Sequence, residues 1–167
     1  MASDTTDTDT GAGEAATALS EARKSLPLYF SLQFIKDLSF ENPRAPDIYE
    51  NFQEPQVNIN VNVGARNIGG RNFEVTLRLS IDAQSGGETS FLVELDYCGI
   101  AHVSDEVEEP DVQPMVLIEG PRMLFPFARA IIANLTRDAA YPLLLLGQMD
   151  FVEMYRAGIQ QAQRGKA

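Results

Sequence analysis

An α+β fold follows from three features of the sequence. Apolar and polar residues alternate strictly over three successive segments in the first two thirds of the chain. Paired glycines fill the gaps between them. Beyond residue 110 the apolar period turns helical. Strands first and helices last make an antiparallel meander with helices laid against it.

Residues 1–25 are rich in Asp, Thr, Ala, Ser and Gly and lack aromatics, so a mobile leader is expected, with at most a weak helix near Ala15–Lys24. It has no basic start followed by an apolar run and is not read as a secretory signal. A single domain over 26–163 follows, with a frayed end at 164–167. Leu32–Phe40 is strand-like and supplies a fourth candidate strand. In Gln56–Gly64, Val57, Ile59, Val61 and Val63 point one way, and Asn58, Asn60 and Asn62 the other. In Phe73–Asp82 the odd residues are apolar and the even ones polar. Glu88–Tyr97, extended toward Val103, puts Phe91, Val93, Leu95 and Tyr97 on one face and Ser90, Leu92, Glu94 and Asp96 on the other. Gly69-Gly70 and Gly86-Gly87 mark turns that need positive φ.

Val112–Glu119 then reads as a short helix. After Gly120 a second one, Met123–Arg137, is broken or started near Pro126. The second is apolar almost all round, and one sheet covers only one side of a helix. A second subunit or a close lid is therefore expected over the rest. Leu143–Leu146 is too short and too near Pro142 for a helix. Asp150 caps a last helix, Phe151–Gln163, with Phe151, Tyr155, Ile159 and Ala162 along its stripe and Met154 and Val152 beside it.

Composition narrows the function. The 167 residues carry a net charge of −11 and a pI near 4.4, which argues against a phosphate-backbone binder and against an anionic membrane surface. One cysteine and one histidine leave no disulfide framework and no His-rich metal site. No apolar run reaches the roughly 20 residues of a membrane span, so the expected address is the cytoplasm. Cys98 and His102 fall on one strand about 13 Å apart, beyond nucleophile–base reach. No pair of carboxylates stands out as catalytic, so no enzyme is expected.

Two features call for a partner. Asp82–Asp111 holds nine acidic residues and no Lys or Arg, and Leu92 is an apolar residue on that polar, acidic strand face. A basic, partly apolar module is what such a face suits. There is also more apolar surface than one thin sheet-and-helix unit hides, which implies oligomerisation, an apolar groove, or both.

At Lys36-Asp37-Leu38-Ser39-Phe40-Glu41-Asn42-Pro43 with Ala45-Pro46, the chain resembles the SecB family of protein-export chaperones. Glu88-Thr89-Ser90-Phe91-Leu92-Val93-Glu94 with Gly99-Ile100 carries the likeness further. Leu124-Phe125-Pro126-Phe127-Ala128-Arg129 and Tyr141-Pro142 with Asp150-Phe151 complete it, over roughly residues 34–162. The resemblance implies a four-stranded antiparallel sheet with helices packed on one face, assembling as a dimer of dimers. It implies an ATP-independent holdase with no cofactor and no nucleic-acid partner. Such a holdase keeps unfolded preproteins export-competent and delivers them to the SecA ATPase, without inserting into the membrane itself.

Matched residue by residue, Asp37, Glu41, Leu92 and Glu94 are the implied contacts for SecA's basic zinc module. Val57, Ile59, Val61, Phe151, Met154 and Tyr155 line the implied client groove. Phe91, Val93, Leu95, Tyr97, Phe125 and Ile132 are assigned to subunit interfaces. The competing reading is a non-catalytic oligomeric adaptor that binds one folded basic partner through the acidic strand face.

Overall fold

The computed structural model describes residues 10–164. The expected leader over 1–25 falls partly outside them; its described part, Thr10–Lys24, is helix α1. The sheet strands are β1 (Leu28–Glu41), β2 (Gln56–Gly69), β3 (Asn72–Ser85) and β4 (Glu88–Val103). They pair antiparallel in the order β1-β4-β3-β2, so β1 and β2 are the edges. The four-stranded α+β architecture is the expected one. Gly69, Gly70, Gly86 and Gly87 all have positive φ, as the two hairpin turns require.

Strand parity sorts the sheet into two faces. On one, Val75, Leu77, Leu79, Ile81 and Ala83 of β3 pair with Gly99, Tyr97, Leu95, Val93 and Phe91 of β4. Every apolar member of that set is buried, and α2 (Glu109–Asp138) covers it. Val57, Val61 and Val63 of β2 continue this face at half-burial.

α2 corrects the sequence reading. Two helices separated near Gly120 were expected; one unbroken helix of 30 residues passes through Pro114, Pro121 and Pro126. Each proline removes one backbone hydrogen bond, a cost of about 3 kcal/mol in a free helix. Burial of Val116, Leu124, Ala128 and Ile132 on one stripe, at about 25 cal/mol per Å² of apolar area, offsets it. Gly120 lets α2 approach the sheet closely: a β-carbon placed there would lie 3.2 Å from a Val75 methyl.

Thr136, fully buried near the end of α2, accepts the Leu144 amide at 3.1 Å. The leucine run beyond it alternates: Leu146 is buried, while Leu143 and Leu145 are more than half exposed. The last helix, α3 (Phe151–Arg164), starts where expected, with the Glu153 amide donating to Asp150 Oδ1 at 2.9 Å.

The six residues matched to subunit interfaces lie deep within this one chain. Phe91, Val93, Leu95, Tyr97, Phe125 and Ile132 are all 8% exposed or less, sealed within this one chain. They belong to the core that the sheet, α2 and α3 enclose. Uncovered apolar residues include Leu32, Ile35 and Leu38 on the β1 edge, Met123 and Phe127 on α2, and Leu143 and Leu145.

Candidate functional site

Two surfaces form on opposite sides of the sheet. The outer face, away from α2, is built in rows by the strand register. One row reads Glu41, Leu92, Asp82, Asn58 across β1, β4, β3 and β2. The next reads Ser39, Glu94, Ser80, Asn60, and the third Asp37, Asp96, Arg78, Asn62. Adjacent members sit on strands about 4.8 Å apart. The structure thus brings Asp37, Glu41, Leu92 and Glu94 together within three rows, Leu92 half-buried and the three acids exposed.

Electrostatics on this face are uneven. Arg78 donates to both oxygens of Asp96, and this, with the neighbouring positive charge, holds the Asp96 carboxyl below the usual range. Arg78 is raised in turn, first by the Asp96 hydrogen bond and then by its charge. Ser80 Oγ donates to Glu94 Oε1. Ser90, expected beside Leu92 on the polar face, is instead fully buried, because the register slips between Ala83 and Gln84 and β4 bulges there. Farther along the face, Glu74 is buried and takes hydrogen bonds from Lys36 and Arg66, which depress its pKa in that order of effect.

The second surface is a cavity of about 500 Å³ on the helical side, between β2 and α3. Val61 and Val63 line one wall, Met154, Tyr155 and Ile159 the other. Of the six residues matched to a client groove, Val61, Met154 and Tyr155 meet here. Val57 and Ile59 lie on the same β2 face outside the cavity. Phe151 does not join them: it is 2% exposed, its ring 5.9 Å from that of Phe125 in the core. Ile159, Val63 and Leu117 join the lining, together with the polar Asn62, Gln113 and Gln161. The stripe of the last helix already signals Ile159. Leu117 carries no such signal, because its place depends on α2 being continuous.

Sequence reasoning also misses an aromatic hollow at the far end of the sheet. Tyr49 and Phe52, from the segment after β1, meet Tyr141, Ala140 and Pro142 around about 490 Å³. Tyr141 anchors it, with its hydroxyl 3.0 Å from both Asn42 Oδ1 and Ser90 O and its ring tilted against that of Phe91, 4.7 Å away. Tyr49 and Phe52 stay exposed. Their wide spacing from Tyr141 in sequence hides the cluster.

Cys98 and His102 both fall on the outer side of β4 but have separate partners. The buried Cys98 thiol lies 3.3 Å from Thr76 Oγ1, and burial pushes its pKa up. His102 Nε2 is 2.8 Å from Ser31 Oγ, its ring stacked on Tyr29. Among the described residues no group of His, Cys, Asp and Glu is placed to hold a metal, and no helix is long and apolar enough to cross a membrane.

Comparison with known proteins sets these surfaces in context. A family model described as SecB, preprotein translocase subunit SecB, matches residues 21–162. The protein-export protein SecB of Rhodospirillum rubrum is 46% identical over 138 residues, 82% of this chain and 85% of that one. The protein-export protein SecB of Rhodopseudomonas palustris is 45% identical over 133 residues, 79% and 84% of the two chains. Among solved structures, a Mycobacterium tuberculosis SecB-like chaperone in complex with an antitoxin peptide shares the fold at a TM-score of 0.61 and 16% identity. That match covers 81% of this chain and 98% of the other.

Proposed function

The chain belongs to the SecB family, and we propose that it is an ATP-independent holdase of protein export, which binds unfolded preproteins and passes them to SecA in the cytoplasm. One observation carries the reading beyond the family likeness. The cavity lined by Val61, Met154, Tyr155 and Ile159 and the acidic strand face lie on opposite sides of one sheet, which supports separate docking of a client and a basic partner.

Clients are read as docking along Val61, Met154, Tyr155 and Ile159, with Val57 and Ile59 extending the path on β2. An unfolded chain exposes apolar side chains, and each 100 Å² buried in such a groove is worth about 2.5 kcal/mol before ordering costs. The aromatic hollow at Tyr49, Phe52 and Tyr141 offers a second apolar contact on the same chain. A folded protein hides the matching groups, so selection falls on slow folders. Weak single contacts add up when several sites act on one client.

SecA's basic module is read as docking at Asp37, Glu41, Leu92 and Glu94. Leu92 supplies the apolar contact, and the carboxylates supply steering and orientation. Four copies are read as assembling through Leu32, Ile35, Leu38, Met123 and Phe127, in place of the six core residues. Exposed side chains of this size, grouped on a strand edge and the helix beside it, favour association.

The experiment is dilution of a denatured export precursor with and without this protein, followed by light scattering. Suppressed scattering, and a species near four times 18.4 kDa that gains mass with the client, are expected. Scattering that rises as fast as in buffer overturns the holdase reading.

A further inference from the structure

We propose that Asp82 is a further contact for the basic module on the outer strand face, standing on the other side of Leu92 from Glu41; this rests on the docking reading above. Leu92 pairs with Glu41 of β1 on one side and with Asp82 of β3 on the other. One row of the sheet therefore reads carboxylate, leucine, carboxylate. With strands about 4.8 Å apart, a basic segment whose apolar part rests on Leu92 has an acceptor within reach on both flanks.

The acids of this face are not in the same state. Asp96 is satisfied, gripped at both oxygens by Arg78. Glu94 already accepts from Ser80. Asp82 has one oxygen engaged: Oδ2 accepts from Gln84 Nε2 at 3.0 Å. Its Oδ1 is shielded from solvent and meets no donor among the described residues. Among the described residues no Lys or Arg pairs with Asp82, so an ammonium or guanidinium docked on this row meets no competing cation there.

Arg78 sharpens the choice of position. It is the one cation in the three rows and lies on the Asp96 row. With Asp96 neutralised by Arg78, that row offers a basic module only Asp37, whereas the row two along offers both Glu41 and Asp82 around Leu92. Asp82 thereby helps determine which end of the acidic face is used.

The test is calorimetric titration of SecA's isolated basic zinc module into the full chain, at low and moderate salt. The variants are Asp82→Asn, Asp82→Ser and, as the control for the face, Glu94→Lys. Both Asp82 variants are expected to weaken binding about three- to tenfold and to flatten its salt dependence, with unfolding midpoint and client protection unchanged. Wild-type affinity in the Asp82 variants, alongside lost binding in Glu94→Lys, overturns the role of Asp82 and leaves the docking reading standing. Undiminished binding in Glu94→Lys as well overturns both. Weakening that only tracks a loss of folded protein, seen by circular dichroism, also overturns the proposal.

Discussion

Arg78 holds Asp96 through two parallel hydrogen bonds, Nε to Oδ1 at 2.6 Å and Nη2 to Oδ2 at 2.5 Å. The pair crosses from β3 to β4 within an otherwise acidic strand face. Arg78→Gln leaves Asp96, whose side chain is only 15% exposed, without its counter-charge beside Asp37 and Glu94. The variant is expected to unfold at lower urea than wild type. It is also expected to associate faster with a basic module at low salt, and both effects should shrink as salt rises. Stopped-flow association at two ionic strengths, with urea titration, checks this; an unchanged association rate contradicts it.

Glu74 ties three strands together and makes folding sensitive to acid. Hydrogen bonds from Lys36 of β1 and then Arg66 of β2 hold its pKa below the ordinary glutamate range. A depressed folded-state pKa stabilises above the unfolded value, about 4.3, and that stabilisation is lost as pH falls through the folded value. The urea midpoint of wild type should exceed that of Glu74→Gln at pH 6, with the gap closing below about pH 4. A gap that stays constant down to about pH 3 would mean the ionised carboxylate is not its source.

Gly99 leaves room for the Phe30 ring. A β-carbon at Gly99 would lie 2.5 Å from Phe30 Cδ1 and 3.1 Å from Leu124 Cδ2, so β1, β4 and α2 meet at this point. Gly99→Ala is expected to destabilise by about 1–3 kcal/mol, the usual cost of overpacking. Adding Phe30→Leu should restore part of it, because the smaller side chain vacates the contact. Non-additivity in a double-mutant cycle is the measurement.

Ile159 lines the cavity and is 41% exposed, so the chain's own stability depends little on it. Ile159→Glu is expected to leave the unfolding free energy within about 0.5 kcal/mol of wild type while raising the chaperone concentration needed to suppress scattering several-fold. Phe151→Ala, a core substitution, should instead cost about 3–5 kcal/mol of stability. If the two variants lose chaperone activity only in step with stability, the cavity is not the client surface.

Alternation makes most of the sheet legible in the sequence. The side-chain period of two is a local property of an extended chain, so residue parity places Leu92 and Glu94 on one face, and Val57, Ile59 and Val61 on the other. The same rule puts Asp82 on the polar face. What parity does not supply is the cross-strand neighbour. That Leu92 sits between Glu41 and Asp82 depends on register: the Gly86-Gly87 turn and the bulge at Ser90 set β3 against β4, and irregularities at Phe30/Leu32 and Ile35/Asp37 set β1 against β4.

The helices are less legible. Pro121 and Pro126 are local stop signals, and local reasoning divides α2 between them and the residues before Gly120. The division fails because Val116, Leu124, Ala128 and Ile132 gain enough burial on the sheet to carry the helix through. The same blindness hides that Phe91, Val93, Leu95 and Tyr97 are covered within their own chain. Composition shows an excess of apolar side chains but not which of them the chain's own helix covers.

By itself, then, the sequence determined the α+β class, the strand faces, the acidic character of one face, and a family likeness spread over ordered blocks of residues. Tertiary structure alone decided which apolar residues are sealed and which stay exposed, where cavity walls meet, and which carboxylate lies beside which cation. Chain periodicity is written in neighbours a few residues apart, whereas burial and pairing depend on contacts between residues far apart in sequence, which only the packed sheet and α2 bring together.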